Sequence, residues 1–182
     1  MVREVSITKN QLLNELENIG DFPVQLRDKV KRGKKQPTGF ILGLIKNRES
    51  NMVHHPFNKD GTKRKLFDES RASKKQRFKN LKDISFKIMK QKDPRFKFTS
   101  IQFNKNNRTK LHTDAKNIGQ SYILGLGDYT GGNIIIYDEK GQNPKSINIK
   151  NRFYKFNGSI YPHETAPFEG TRYTLVFYNV LR

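Results

Sequence analysis

From residue 96 onward the apolar pattern of this chain changes period, and that change limits its architecture more than any other feature. In Phe96-Lys97-Phe98-Thr99-Ser100-Ile101-Gln102-Phe103-Asn104, Ile101 and Phe103 fall on one face and Ser100, Gln102 and Asn104 on the other. That is the two-residue repeat of a half-buried strand. Asn106-Asn107 makes a turn into a second strand over 109–113. More strands are predicted at 121–126, 134–137, 145–149, 152–156 and 172–179, with Gly131-Gly132 as a turn. Closely spaced strands with Gly and Asn turns predict a sandwich or barrel with helices on one side.

The first half reads differently. Residues 6–19 carry apolar side chains at 12, 13, 16 and 19 and are followed by Gly20, which predicts an amphipathic helix with a stop. The short apolar run 40–45, after Pro37, predicts a buried strand, and 47–68 a long loop. Residues 69–92 place Phe78, Leu81, Ile84, Phe86, Ile88 and Met89 among lysines, which predicts one basic amphipathic helix that can break near Ser85. Packing on a sheet with a solvated lysine face is its simpler reading; a helix made for nucleic acid is the other. No repeat or second domain is visible. The expectation is a single domain over 1–182, with 1–95 supporting a catalytic core over 96–182.

Mean hydropathy of −0.84 predicts a polar surface with some mobile segments. No apolar run approaches the roughly 20 residues of a membrane helix, and residues 1–5 lack the apolar stretch of a secretory signal. The chain has no cysteine, so disulfides and thiolate metal sites are excluded. These features predict an intracellular monomer, in the cytoplasm or nucleus, without a membrane partner.

The net charge of +19 is uneven: residues 1–110 hold 28 Lys and Arg against 11 Asp and Glu, and residues 111–182 hold 8 against 6. A basic first half suits a polyanion, nucleic acid first. A lysine-rich composition inherited from an AT-rich genome is the alternative, but it does not explain charge concentrated in one half. The runs Lys31-Arg32-Gly33-Lys34-Lys35, Lys63-Arg64-Lys65 and Lys74-Lys75-Gln76-Arg77 fit phosphate contacts or nuclear targeting equally.

Chemistry concentrates in the second half. On a strand, His112 and Asp114 point the same way, with Thr113 turned opposite. Alone, this pair fits a structural histidine and a turn aspartate. His163 lies in Tyr161-Pro162-His163-Glu164-Thr165-Ala166-Pro167, an irregular segment before the last strand. It would complete a 2-His-1-carboxylate triad of the kind found in non-haem Fe(II) oxygenases; zinc hydrolysis could use the same donors. Arg172 heads the long apolar strand, and a buried arginine is expensive unless paired. No matching acid stands out, so a small-molecule carboxylate is the economical partner, with Thr174 on the same face as a second donor. Ser100, Gln102 and Asn104 either line the pocket or make cross-strand hydrogen bonds. Tyr129 either stacks on a flipped base or is a packed turn aromatic, the simpler reading. Adjacent His54 and His55 make a poor chelate and read as surface.

Residues 99–179 resemble the 2-oxoglutarate/Fe(II) dioxygenases, and within them the TET/JBP-like branch that oxidises methyl groups on nucleobases. The resemblance rests on His112-Thr113-Asp114-Ala115-Lys116-Asn117, Gly127-Asp128-Tyr129-Thr130-Gly131-Gly132, His163, and Gly170-Thr171-Arg172-Tyr173-Thr174-Leu175-Val176. It looks most like the compact forms found in algae and large DNA viruses; the cysteine-rich region of the animal members is absent. The resemblance implies an α+β fold with a double-stranded β-helix (jelly-roll) core and N-terminal helices packed on one side. It implies that His112, Asp114 and His163 bind iron and that Arg172 holds the distal carboxylate of 2-oxoglutarate. Asn117 would brace the cosubstrate or the metal shell. Fe(II), 2-oxoglutarate and O2 are the implied cofactors, with ascorbate as a reductant. The implied reaction is hydroxylation of a methylated pyrimidine in DNA, or in RNA, held by the basic half 1–110. A protein hydroxylase of the same fold, with an acidic target docked on that half, is the alternative. A non-catalytic basic binding protein is a third reading, which the intact His112, Asp114, His163 and Arg172 speak against.

Overall fold

The computed structural model describes residues 7–27, 29–47, 55–57, 59 and 61–181. Residues 1–5, the helix start expected at Ser6, part of the loop over 47–68, and His54 lie outside them.

Helix α1 (Lys9–Asn18) starts where Thr8 caps it. The Thr8 hydroxyl accepts from Gln11 N–H at 3.2 Å, and the Gln11 side-chain Oε1 accepts from Thr8 N–H at 2.8 Å. Gly20, with φ +72°, follows its end. Leu12 and Leu16, one turn apart, are fully buried. The second helix forms later than its periodicity predicts. A 3₁₀ turn (Gln76–Phe78) leads into α2 (Lys79–Lys92), while Ser70 and Ser73 bond each other and the backbone of the neighbouring strand upstream. The helix does not break at Ser85, which is buried on its inner face with Leu81, Ile88 and Met89.

Eleven strands are present among the described residues. They are β1 (Thr38–Lys46), β2 (Phe67–Glu69), β3 (Ser100–Lys105), β4 (Ser121–Leu126), β5 (Tyr129–Gly131), β6 (Ile134–Ile136), β7 (Lys145–Ile147), β8 (Phe153–Phe156), β9 (His163–Thr165), β10 (Phe168–Gly170) and β11 (Tyr173–Tyr178). Six form an antiparallel sheet in the order β2-β1-β3-β11-β4-β8. A three-stranded sheet runs β7-β6-β9, and β5 pairs with β10.

Alternation decides what each face of the large sheet meets. Ile101 and Phe103 of β3, Tyr122, Leu124 and Leu126 of β4, and Tyr173, Leu175 and Phe177 of β11 share one core with the helical residues Leu12, Leu16, Leu81 and Met89. Each fully buried Leu or Phe there contributes about 1.5–3 kcal/mol. The opposite face meets the small sheet: Ile123, Val176, Tyr154 and Phe156 pack with Ile134, Ile136, Ile147 and Ile149. The described residues are thus mostly β-sheet with two α-helices, both on the outer face of the large sheet.

Three expected boundaries change. The alternating stretch becomes a strand only at Ser100. Residues 109–113 make no strand, only isolated bridges at Thr109 and His112. The segment around His163, expected to be irregular, is strand β9. Short strands such as β5, β9 and β10 carry too few residues for a period to be visible.

Candidate active site

Three side chains converge between the two sheets. His112 and His163 face each other as an antiparallel pair: His112 N–H donates to His163 C=O at 3.0 Å, and His163 N–H to His112 C=O at 2.9 Å. Their rings lie 4.4 Å apart. Asp114 comes from the following turn, where its N–H donates to Gly158 C=O at 2.8 Å. Its two carboxylate oxygens stand 3.6 Å from His112 Nε2 and 3.6 Å from His163 Nε2. The three ligand atoms lie within 4.8 Å of one another, so these residues could hold a metal ion. His112 Nδ1 lies 2.7 Å from Lys110 C=O and His163 Nδ1 3.0 Å from Tyr161 C=O. A carbonyl only accepts, so each Nδ1 carries the proton and each Nε2 lone pair is free for a cation. Burial, and then the neighbouring His163, hold the His112 pKa below its ordinary value, which favours the neutral ligand form.

Two neighbours shape the cluster. Asn117 Nδ2 donates to Asp114 Oδ2 at 3.3 Å and leaves Oδ1 open. Gly158 closes the third side: a Cβ there would lie 2.9 Å from Asp114 Oδ2 and 3.3 Å from His163 Cε1. Phe156 sets its ring edge-on to His163 at 5.0 Å.

The cluster opens into a cavity of about 850 Å³, whose wall also carries Gln102, Asn104, Arg172, Thr174 and Tyr178. Arg172 is 3% exposed. Its Nη2 donates to Gly132 C=O at 2.9 Å, and its guanidinium lies 5.6 Å from the Tyr129 ring and 5.4 Å from Phe168. Gly132, at φ +68°, makes this possible, since a Cβ would stand 2.8 Å from Arg172 Nε. Among the described residues no carboxylate pairs with Arg172, and its Nε has no hydrogen-bond partner. Burial lowers its pKa, but a guanidinium stays charged at neutral pH. A buried, unpaired cation facing a cavity calls for an anion. Thr174, two residues along and on the same face, accepts from Asn104 Nδ2 at 3.1 Å, so its own proton is free to point into the cavity. Burial, and then the Asp114 charge, push the Tyr178 phenol up to about 12.

Two expected site residues stand elsewhere. Ser100 is fully buried, donates to Leu44 C=O at 2.6 Å, and does not line the cavity. Tyr129 is 3% exposed and covered by the Arg172 guanidinium, so its ring is not available to a base. For Ser100 the cause is that alternation gives the side of a strand, but not which end of that side faces open space; Tyr129 takes the packed-aromatic reading, the simpler of its two.

The sequence also left part of the wall unread. Gln25, Arg27 and Lys29 line the cavity from the segment between Pro23 and Pro37, and Lys46 and Lys116 line it from β1 and the turn after Asp114. Lys116 Nζ donates to Lys46 C=O at 3.0 Å. Among the described residues Asp114 is the sole acid in that lining, against Arg27, Lys29, Lys46, Lys116 and Arg172, so their side of the wall is cationic. Flanking prolines were the available signal, since two fixed turns return a chain to the same sheet edge: Gly39 N–H donates to Pro23 C=O and Gln25 N–H to Pro37 C=O, both at 2.8 Å. His55 is exposed.

Neither a family model nor a curated protein sequence matches the chain. Solved structures do. NgTET1 in complex with 5mC DNA matches with a TM-score of 0.55 and 14% identity over 96% of this chain and 69% of that one. OsALKBH1 matches with a TM-score of 0.50 and 11% identity over 96% and 93%. An oxidoreductase of the 2OG-Fe(II) oxygenase family from Burkholderia pseudomallei matches with a TM-score of 0.49 and 13% identity over 98% and 81%. The chain shares its fold with NgTET1 and OsALKBH1.

Proposed function

We infer that this chain is an Fe(II)- and 2-oxoglutarate-dependent dioxygenase that hydroxylates a methylated pyrimidine base in nucleic acid, with DNA favoured. One observation carries the reaction class. The His112-Asp114-His163 donor set and a buried arginine without a carboxylate partner open into the same cavity. Two imidazoles and a carboxylate on one side of a site suit a metal that must keep positions open. The two facing sheets are read as the double-stranded β-helix, within a single domain.

His112, Asp114 and His163 would hold Fe(II), and Arg172 would take the distal carboxylate of 2-oxoglutarate with the Thr174 hydroxyl beside it. Bound iron, with 2-oxoglutarate and O2, supplies the oxidising power: the cosubstrate becomes succinate and CO2 while one oxygen enters the substrate C–H bond. The protein's own contribution is placement. The carbonyls of Lys110 and Tyr161 fix the imidazole tautomers, Asn117 orients Asp114, and Ile123, Ile134 and Val176 supply an apolar stretch of wall that limits water.

The substrate reading rests on charge. Arg27, Lys29, Lys46 and Lys116 line the cavity, as phosphates beside a flipped base require. The fold shared with a structure solved on 5mC DNA supports the TET/JBP-like branch. The test is incubation with methylcytosine-containing and thymine-containing duplexes, Fe(II), 2-oxoglutarate and ascorbate, followed by nucleoside mass spectrometry. A hydroxymethyl product on one duplex is expected. No oxidised nucleoside on either duplex or the matching RNAs, with turnover stimulated by acidic peptides instead, would move the assignment to a protein hydroxylase.

A further inference from the structure

Gln25 and Gln102 meet on the cavity wall, and backbone groups fix the direction of the hydrogen bonds around them. Asn107 Oδ1 accepts from Thr38 N–H at 2.9 Å and its Nδ2 donates to Thr38 C=O at 2.8 Å, so its amide has one orientation. The same Nδ2 reaches Asn104 Oδ1 at 3.2 Å, which turns Asn104 Nδ2 toward Thr174. Gln102 Nε2 lies 2.9 Å from Phe103 C=O and 3.1 Å from Asn104 Oδ1, both acceptors. Gln25 Oε1, 3.0 Å away, is a third acceptor around the same two N–H groups. Three acceptors around Nε2 fix the Gln102 amide, and Gln25 turns its side-chain oxygen toward the protons they share.

What remains is a matched pair. Gln102 Oε1 and Gln25 Nε2 have no protein partner among the described residues, and neither is among the buried atoms lacking one. Both therefore touch open space; Gln102 is 9% exposed, and the space it lines is the cavity. The wall presents a carbonyl acceptor and an amide donor on adjacent side chains. A carboxylate does not suit the Gln102 end, because a carbonyl oxygen repels it; Arg172 and Thr174 already supply donors for that ligand. A neutral planar edge with a donor next to an acceptor does suit both ends. Cytosine offers N4–H beside N3, and thymine N3–H beside O4.

We propose that Gln25 and Gln102 are the specificity-determining pair of this enzyme, receiving the hydrogen-bonding edge of the substrate pyrimidine. This rests on the nucleobase reading above. It gives the N-terminal segment a direct part in recognition: Gln25 hangs between the Pro23 and Pro37 backbone contacts and reaches the cavity from outside the region that carries the metal ligands.

Binding to the full-length, metal-free protein tests it without turnover. Fluorescence anisotropy would compare otherwise all-purine single strands carrying one methylcytosine, one thymine or one abasic site. Wild type is expected to bind one pyrimidine strand about ten-fold more tightly than the abasic strand. Gln25→Met and Gln102→Met, uncharged and of similar length, are each expected to bring that ratio to within about two-fold of unity. Affinity for the abasic strand should stay unchanged, which shows that phosphate contacts and fold survive. Variants that keep the wild-type preference would overturn the pair while leaving the nucleobase reading in place. A wild type that prefers neither base over the abasic site would remove the nucleobase reading and the pair together.

Discussion

His112 and His163 exchange both backbone hydrogen bonds, at 3.0 and 2.9 Å, although five strands, β4 to β8, lie between them in the chain. The pairing brings two candidate ligands 51 positions apart in the chain to a ring separation of 4.4 Å. It also makes the candidate metal site depend on strands far apart in the chain, because neither histidine lies on a long strand of its own.

Gly158 should be as sensitive as a ligand. Adding one methyl places carbon 2.9 Å from Asp114 Oδ2 and 3.3 Å from His163 Cε1. Gly158→Ala is expected to weaken Mn(II) binding by about 10–100-fold, the range for disturbed support of metal ligands. Calorimetry reads the affinity, and an unchanged circular dichroism spectrum separates this from unfolding.

Arg172→Lys keeps a charge but loses the planar two-pronged donor. Affinity for 2-oxoglutarate is expected to fall about ten-fold or more, with Mn(II) affinity unchanged because the arginine is not a ligand. Equal 2-oxoglutarate affinity in the variant would remove the assignment of this side chain.

The cations on the cavity wall predict a salt signature. Each of Arg27→Ala, Lys29→Ala and Lys46→Ala that removes a phosphate contact should lower the slope of log Kobs against log salt by about 0.9 on duplex DNA. Unchanged slopes in all three would mean that these side chains face solvent rather than phosphate.

Tyr178 should report on stability at high pH. Its folded pKa of about 12 lies above the ordinary 10.0, so the native state holds the proton more tightly. The associated stability is present in full below pH 10 and is lost as pH rises toward 12. Urea unfolding of the metal-free protein should show wild type losing about 2–3 kcal/mol more than Tyr178→Phe across that window.

Much of the site was legible because side-chain periodicity survives in long strands. β4 and β11 appear in the sequence with nearly their observed bounds, and Thr174 falls on the cavity face as the alternation requires. His112 and Asp114 do share a site, but through an isolated bridge and a turn rather than through a strand. The N-terminal contribution was not legible. Gln25 reaches Gln102 across 77 positions, and no local pattern encodes a contact made by a loop folding back over a sheet edge. Ser100 and Gln102 look equivalent in the alternating stretch, yet the carbonyl of Leu44 occupies one and the cavity the other.

The most direct measurement is succinate formation by the purified chain supplied with Fe(II), 2-oxoglutarate and O2, with and without a methylated duplex. The expected result is formation stimulated by the duplex, matched mole for mole by hydroxylated nucleoside, and abolished in Asp114→Ala. Succinate no higher in wild type than in Asp114→Ala, with either partner present, would contradict the assignment of His112, Asp114 and His163 as an oxygenase centre.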